Sequence, residues 1–196
     1  ALWAARPRDR DAIERAALPA ADAVLARSGG ALVRAALDRI RLEVARLVAL
    51  AVDDEPWDFA FAERGFGSAG DEWPAFVVSG EGGRVSLRGR IDRLDRSHDG
   101  AAVRAIDYKR RVQPPAIADL GSTAIQVPIY AIVAQRALGV AVARGRYVST
   151  VSPAKNSTTA FDERFDALVA AAPDGSTEAT RVALEHVLGI RRGLVA

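Results

Sequence analysis

The chain contains neither cysteine nor methionine. Without cysteine there is no disulfide, and no thiolate-held zinc or iron–sulfur cluster can form within these residues. No apolar run reaches the roughly 18 residues that a membrane helix requires, and no signal-peptide pattern opens the chain. The expected compartment is therefore cytoplasmic, with no membrane partner. The absence of methionine, with an Ala-Leu-Trp start, leads to the expectation of a piece excised from a longer polypeptide. Lysine is almost absent as well: it occurs only at Lys109 and Lys155, so 25 of the 27 basic residues are arginine. Net charge is low, +2, although the sequence pI is about 9.4. Arginines stay charged to high pH, so that pI does not describe a densely basic protein. Any nucleic-acid contact must come from local clustering, and residues 84–111 hold eight arginines and Lys109. A solvated strand face accounts for most of those arginines equally well.

What is present fits an ordinary globular chain. At 196 residues, 49% hydrophobic and 27% charged, it is long enough for one domain with a substantial core. Residues 9–27 and 30–51 read as helices; in the second, Leu32, Ala36, Ile40, Val44, Leu47 and Val48 recur at helical spacing. Gly29-Gly30 separates them, and "DDEP" stops the second because proline cannot continue a helix. From Trp57 the period falls to two, with Trp57, Phe59 and Phe61 alternating against Asp58, Ala60 and Ala62. Strands are expected at 75–79, 84–95 and 101–109, the last two joined by a turn at Asp99-Gly100. A loop with Pro114-Pro115 follows. The spacing then predicts a helix capped by Ser122 or Thr123 and ended by Gly139, a strand over 143–151 and a helix over 176–192. The expected fold class is α/β: a mixed sheet of strand meander, helix and strand, flanked by helices. Residues 1–52 form a helical segment packing on a core of 53–196.

The one isolated lysine of the sheet region sits in "AIDYKRR". Side chains alternate along a strand, so Asp107 and Lys109 share a face. Asp92, in "GRIDRLD", faces opposite Ile91. If the two strands pair through the Asp99-Gly100 turn, both carboxylates can lie together with an ammonium beside them. Close carboxylates repel and are stable together chiefly with a cation between them. Oxygen ligands favour Mg²⁺ or Mn²⁺. Alternatively, Asp-x-Lys on one strand face is a surface ion pair, worth about 0–1 kcal/mol. In "QVPIY", Gln126 and Tyr130 are four apart and share a helical face. They are either polar groups leaning towards such a site or a buried amide and tyrosine at a helix–sheet contact.

The series "GRIDRLD", "AIDYK", "QVPIY" resembles the motifs of the PD-(D/E)XK nuclease superfamily. It is most similar to the RecB-like branch found in the nuclease domains of RecBCD and AddAB helicase–nucleases. The resemblance covers roughly residues 57–150 and implies a restriction-endonuclease-like fold and Mg²⁺- or Mn²⁺-dependent hydrolysis of DNA. By position it implies metal ligation by Asp92, Asp107 and the Tyr108 carbonyl, a catalytic Lys109, and support from Gln126 and Tyr130. Glu63, in "FAERGFG", resembles the glutamate on the preceding strand. Arg88, Arg90, Arg93, Arg110 and Arg111 are the candidate phosphate contacts, and single-stranded ends the expected substrate. A helicase region or partner subunit outside these residues is the expected associate.

The sequence departs from that branch in two ways. Val33 or Arg34 stands where relatives carry a metal-binding histidine, while His98 reads as turn polarity and His186 as helix surface. The cysteine cluster that many relatives place after a helix ending like "VLGIRRGLVA" is not in these residues. A rival expectation is thus a nuclease-like fold with a degraded site, retained for DNA binding or scaffolding. A four-cysteine CRISPR-adaptation nuclease shares the motifs and is disfavoured by the cysteine count.

Overall fold

The period-two stretch from Trp57 forms β1 (Trp57–Phe66), bulged between Phe59 and Phe61. The computed structural model describes residues 57–109, 124–149 and 162–191, with isolated positions between 15 and 27. The helices expected over 9–27 and 30–51, the domain boundary at 52 and the Pro114-Pro115 loop fall outside the described residues, apart from those isolated positions. Among the described residues, no helix is long and apolar enough to cross a membrane.

The strand expected over 84–95 is two strands. β2 (Phe76–Gly80) and β3 (Gly83–Leu87) pair as a separate antiparallel hairpin. The chain then breaks at Arg88 and re-enters the main sheet as β4 (Gly89–Ser97). β5 (Ala102–Lys109) follows through the expected turn, where Gly100 takes a φ of 72° and donates its N–H to Ser97 O at 2.9 Å. The Asp99 carboxylate tightens that turn, accepting from Ser97 Oγ and from the Ala101 N–H. β6 (Val142–Ser149) completes a four-stranded sheet in the order β1-β4-β5-β6. β4 runs antiparallel to both of its neighbours, β1 and β5, whereas β6 is parallel to β5, which demands a crossover.

The crossover contains α1 (Gln126–Leu138), followed by Gly139 in the left-handed conformation as its C-cap. Its N-cap is Ile125, without a side-chain cap, rather than the expected Ser122 or Thr123, which lie outside the described residues. Pro128 is the third helical residue, where the missing N–H is one the helix could not use anyway. α2 (Asp162–Val169), which no sequence pattern announced, and α3 (Glu178–Arg191) lie beyond β6. One face of the sheet meets α1 and α2 through Leu94, Val103, Ala105, Ala143, Val127, Ile132, Phe165 and Leu168, all in one apolar cluster.

Gly145 sets how closely that layer approaches. A Cβ there would lie 2.4 Å from Val127 and 2.6–2.7 Å from the Phe165 ring. Alanine normally suits a strand better than glycine, but overpacking costs about 1–3 kcal/mol. Gly145→Ala is therefore expected to destabilise the protein by that amount in urea unfolding, with an unchanged m-value.

Candidate active site

The β4–β5 ladder runs from Arg96↔Val103 to Arg93↔Ile106 and goes no further. Beyond it β4 stays paired with β1 as far as Gly89↔Phe66, and β5 with β6 as far as Lys109↔Ser149. The sheet thus divides, and Asp92 and Asp107 stand one residue past the division, on opposite sides of it. Asp92 Oδ2 accepts the Tyr108 N–H at 2.9 Å, so a side chain takes the place of a backbone carbonyl there.

Asp107 is buried, and Asp92 is half-buried. Burial raises the Asp107 pKa above the usual carboxylate range, Lys109 draws it back, and the Asp92 charge raises it again. The Lys109 ammonium lies 2.8 Å from Asp107 Oδ2, an oxygen that accepts no well-angled hydrogen bond. Lys109 Nζ also donates to Gln126 Oε1 at 3.2 Å, and Gln126 Nε2 donates to the Tyr130 hydroxyl at 3.1 Å. Asp107, Lys109, Gln126 and Tyr130 accordingly form one polar chain spanning β5 and α1, and Asp92 on β4 adjoins it through the Tyr108 N–H. The Tyr130 ring packs edge-to-face on Phe66, with centroids 5.9 Å apart. Gly89, first residue of "GRIDRLD", leaves room for that pair: a Cβ would sit 3.0 Å from Phe66 and 3.2 Å from Tyr130.

The remaining candidates separate. Glu63 is bracketed by the pairs Ala62↔Arg93 and Arg64↔Ile91, which places it across from Asp92 on β1. Its φ is 51°, unusual for a non-glycine residue, and its exposed carboxylate lies 3.9 Å from Arg90. Among the described residues, no three His, Cys, Asp or Glu side chains converge as a metal cage, so Glu63 is not gathered with Asp92 and Asp107. Arg88 and Arg90 are exposed, and Arg110 and Arg111 lie outside the described residues. Arg93 is a correction: it is 6% exposed and donates to Asp95 at 2.6 Å and to the Tyr108 hydroxyl at 3.3 Å, so no phosphate reaches it. Strand alternation already put Arg93 on the face of Ile91. His98 lies at the far turn, 3.6 Å from Asp58, and His186 is exposed on α3.

Two neighbours were not anticipated. Asp95, also in "GRIDRLD", is fully buried and pairs with both Arg93 and Arg104, at 2.6 Å each. Tyr147 stands beside Asp107 in the β5–β6 register, and its hydroxyl accepts the Val127 N–H at 3.4 Å in the first turn of α1. Burial, with the charge of Asp107, pushes the Tyr147 hydroxyl up to about 12. A strand tyrosine thus supplies the cap that α1 lacks locally.

A buried carboxylate oxygen without a well-angled donor, beside a second carboxylate, is a donor set short of positive charge. It fits a hard divalent cation that accepts two protein carboxylates and completes its shell with other oxygens and water.

A central mixed sheet flanked by helices is consistent with the restriction-endonuclease-like fold. The chain matches the model of the PD-(D/E)XK nuclease superfamily over residues 3–195 and belongs to that superfamily. Nucleases of this superfamily act on DNA and generally use divalent metals. No curated protein matches the chain.

The raised Asp107 pKa has a consequence for stability. With its folded pKa above the usual carboxylate range, the folded state holds the proton more tightly than the unfolded chain. Stability is therefore lost as pH rises from the unfolded value through the folded one. Asp107→Asn should flatten this dependence and raise the melting temperature at neutral pH, as measured by circular dichroism across a pH series. Lys109, half-buried, remains solvated after the loss of its partner.

Proposed function

We propose that this chain is a divalent-metal-dependent deoxyribonuclease domain hydrolysing phosphodiester bonds, of the RecB-like, exonuclease V-like kind. It acts in the cytoplasm as the nuclease module of a helicase–nuclease in DNA end processing and recombinational repair. The observation that carries the reading is the Lys109 ammonium, held between Asp107 and Gln126 where β4 and β5 part.

Mg²⁺ or Mn²⁺, held by Asp92, Asp107 and the Tyr108 carbonyl, would supply an acidified water and a polarised phosphodiester. The protein's own groups do the rest. Asp92 and Asp107 concentrate negative charge that only a cation relieves. Lys109 places a compact ammonium where an attacking hydroxide or a developing phosphorane oxygen needs charge. Gln126, steadied by Tyr130, limits the swing of that amine. Arg88 and Arg90, with Arg110 and Arg111 after the lysine, are suited to the phosphates of a single strand delivered by a helicase. Glu63, across from Asp92 on β1 but outside the Asp92–Asp107 pair, is the accessory acid of this reading.

Degradation of linear single-stranded DNA with Mg²⁺ or Mn²⁺ tests this. The expected result is cleavage abolished by EDTA and reduced at least about 100-fold by Lys109→Ala, the usual cost of deleting one transition-state donor. Equal cleavage by wild type and mutant would reject the assigned chemistry. Retained DNA binding, with no cleavage and no calorimetric uptake of Mn²⁺, would identify a degraded, scaffolding relative instead.

A further inference from the structure

The reverse face of the β4–β5 pair carries a buried ionic network that the proposed chemistry does not use. Asp95 is fully buried, with Oδ1 accepting from Arg93 Nε and Oδ2 from Arg104, both at 2.6 Å. The Arg104 guanidinium also stacks over the Trp57 ring, 4.6 Å from its centroid. Arg93 reaches onward and donates from a terminal nitrogen to the Tyr108 hydroxyl at 3.3 Å. Tyr108 belongs to both faces: its ring lies at the back, and its backbone N–H is the donor to Asp92 at the front. A continuous path therefore runs from Asp95 through Arg93 and Tyr108 to the Asp92 carboxylate.

Stability does not explain this network. Desolvating three charged groups costs about as much as their attraction returns, and apolar residues of similar size would hold the face equally well. Its location is more informative. The pairs Arg93↔Ile106 and Asp95↔Arg104 belong to the last stretch of β4–β5 ladder, and Tyr108 lies two residues beyond its end. Past that point no β4–β5 backbone pairing fixes the Tyr108 peptide plane on the β4 side. The Arg93–Tyr108 bond supplies that restraint from behind.

We propose that Asp95, Arg93 and Tyr108 are positioning residues that hold the Tyr108 peptide, and through it Asp92, in the geometry that receives a divalent cation. This rests on the nuclease reading for its purpose, but the positioning itself can be measured without metal or DNA. Arg104, gripping the other oxygen of Asp95, keeps that carboxylate from rotating away from Arg93.

The test uses the full 196-residue chain. Tyr108→Phe removes only the hydroxyl, and Asp95→Asn weakens both arginine contacts. Should Asp95→Asn fail to fold, Tyr108→Phe alone decides. In metal-free protein, amide exchange at Tyr108 is expected to accelerate about tenfold or more in Tyr108→Phe, with Val103 and Ala105 unchanged. Mn²⁺ affinity by calorimetry should fall about 10- to 100-fold, the usual effect of losing a partner that orients a metal ligand. Cleavage should fall in kcat with unchanged KM for DNA, and added Mn²⁺ should restore it, which general destabilisation would not produce. Wild-type exchange at Tyr108 in the variant overturns the proposal, as does faster exchange with undiminished Mn²⁺ affinity. If the wild type itself neither binds Mn²⁺ nor cleaves, the nuclease reading fails separately. Tyr108 amide exchange then still settles whether the rear network positions Asp92.

Discussion

Two adjacent antiparallel strands normally satisfy one another's backbone along their whole length. Here β4 and β5 pair only as far as Arg93↔Ile106, after which each keeps its outer neighbour and the inner ladder lapses. A backbone N–H freed at such a point must find a partner, because an unpaired buried donor is costly. Asp92 answers for Tyr108, and in doing so is drawn to the rim of the opening. Asp107 stands on the opposite rim. The opening, the two carboxylates and the lysine beside them are consequences of where the ladder ends, and the Asp99-Gly100 turn fixes that register from the other end of the hairpin.

The same geometry explains why this position carries a lysine in a chain whose basic residues are arginine at 25 of 27 positions. The space beside Asp107 must admit a cation that reaches a carboxylate oxygen and a helical glutamine at once, at 2.8 and 3.2 Å. A single ammonium on a flexible stem satisfies both with rotating donors, whereas a planar guanidinium spreads its donors over a wider fork. Arginine is used where its fork is the better shape. On the reverse face, two guanidiniums divide the two oxygens of Asp95, and one of them also stacks on Trp57.

Much of the front of the site was legible in the sequence because it obeys short-range periodicities. Asp107 and Lys109 two apart on a strand, Gln126 and Tyr130 four apart on a helix, and a strong hairpin turn joining the aspartates suffice to assemble it. What was not legible depends on neighbours distant in sequence. The break at Arg88 follows from β3 pairing with β2 while β4 pairs with β1, and nothing in "RVSLRGRIDRLD" marks the change. The cap on α1 comes from Tyr147, twenty residues after Val127, so no local Ser or Thr pattern could identify it. Local clustering of arginines makes Arg93 a candidate phosphate contact, whereas its alternation with Asp92 puts it on the face of Ile91, where it is buried. Glu63 lies across from Asp92 in register, yet its positive φ interrupts the alternation on which a sequence reading relies.

The segment from Asp92 to Asp95 also shows why so polar a strand has a defined register. Consecutive residues serve opposite faces: Asp92 and Leu94 the helix side, Arg93 and Asp95 the reverse. A slip of one residue would bury Asp92 away from Asp107 and deliver Arg93 to the opening, exchanging an acidic site for a basic one. It would also separate Asp95 from Arg104 and leave a fully buried carboxylate without its cations, which costs several kcal/mol. An apolar strand would tolerate such a slip far better, because one branched aliphatic residue replaces another at modest cost. The buried charges therefore also oppose the wrong register, and the right register is the one that places two carboxylates and an ammonium where the strands part.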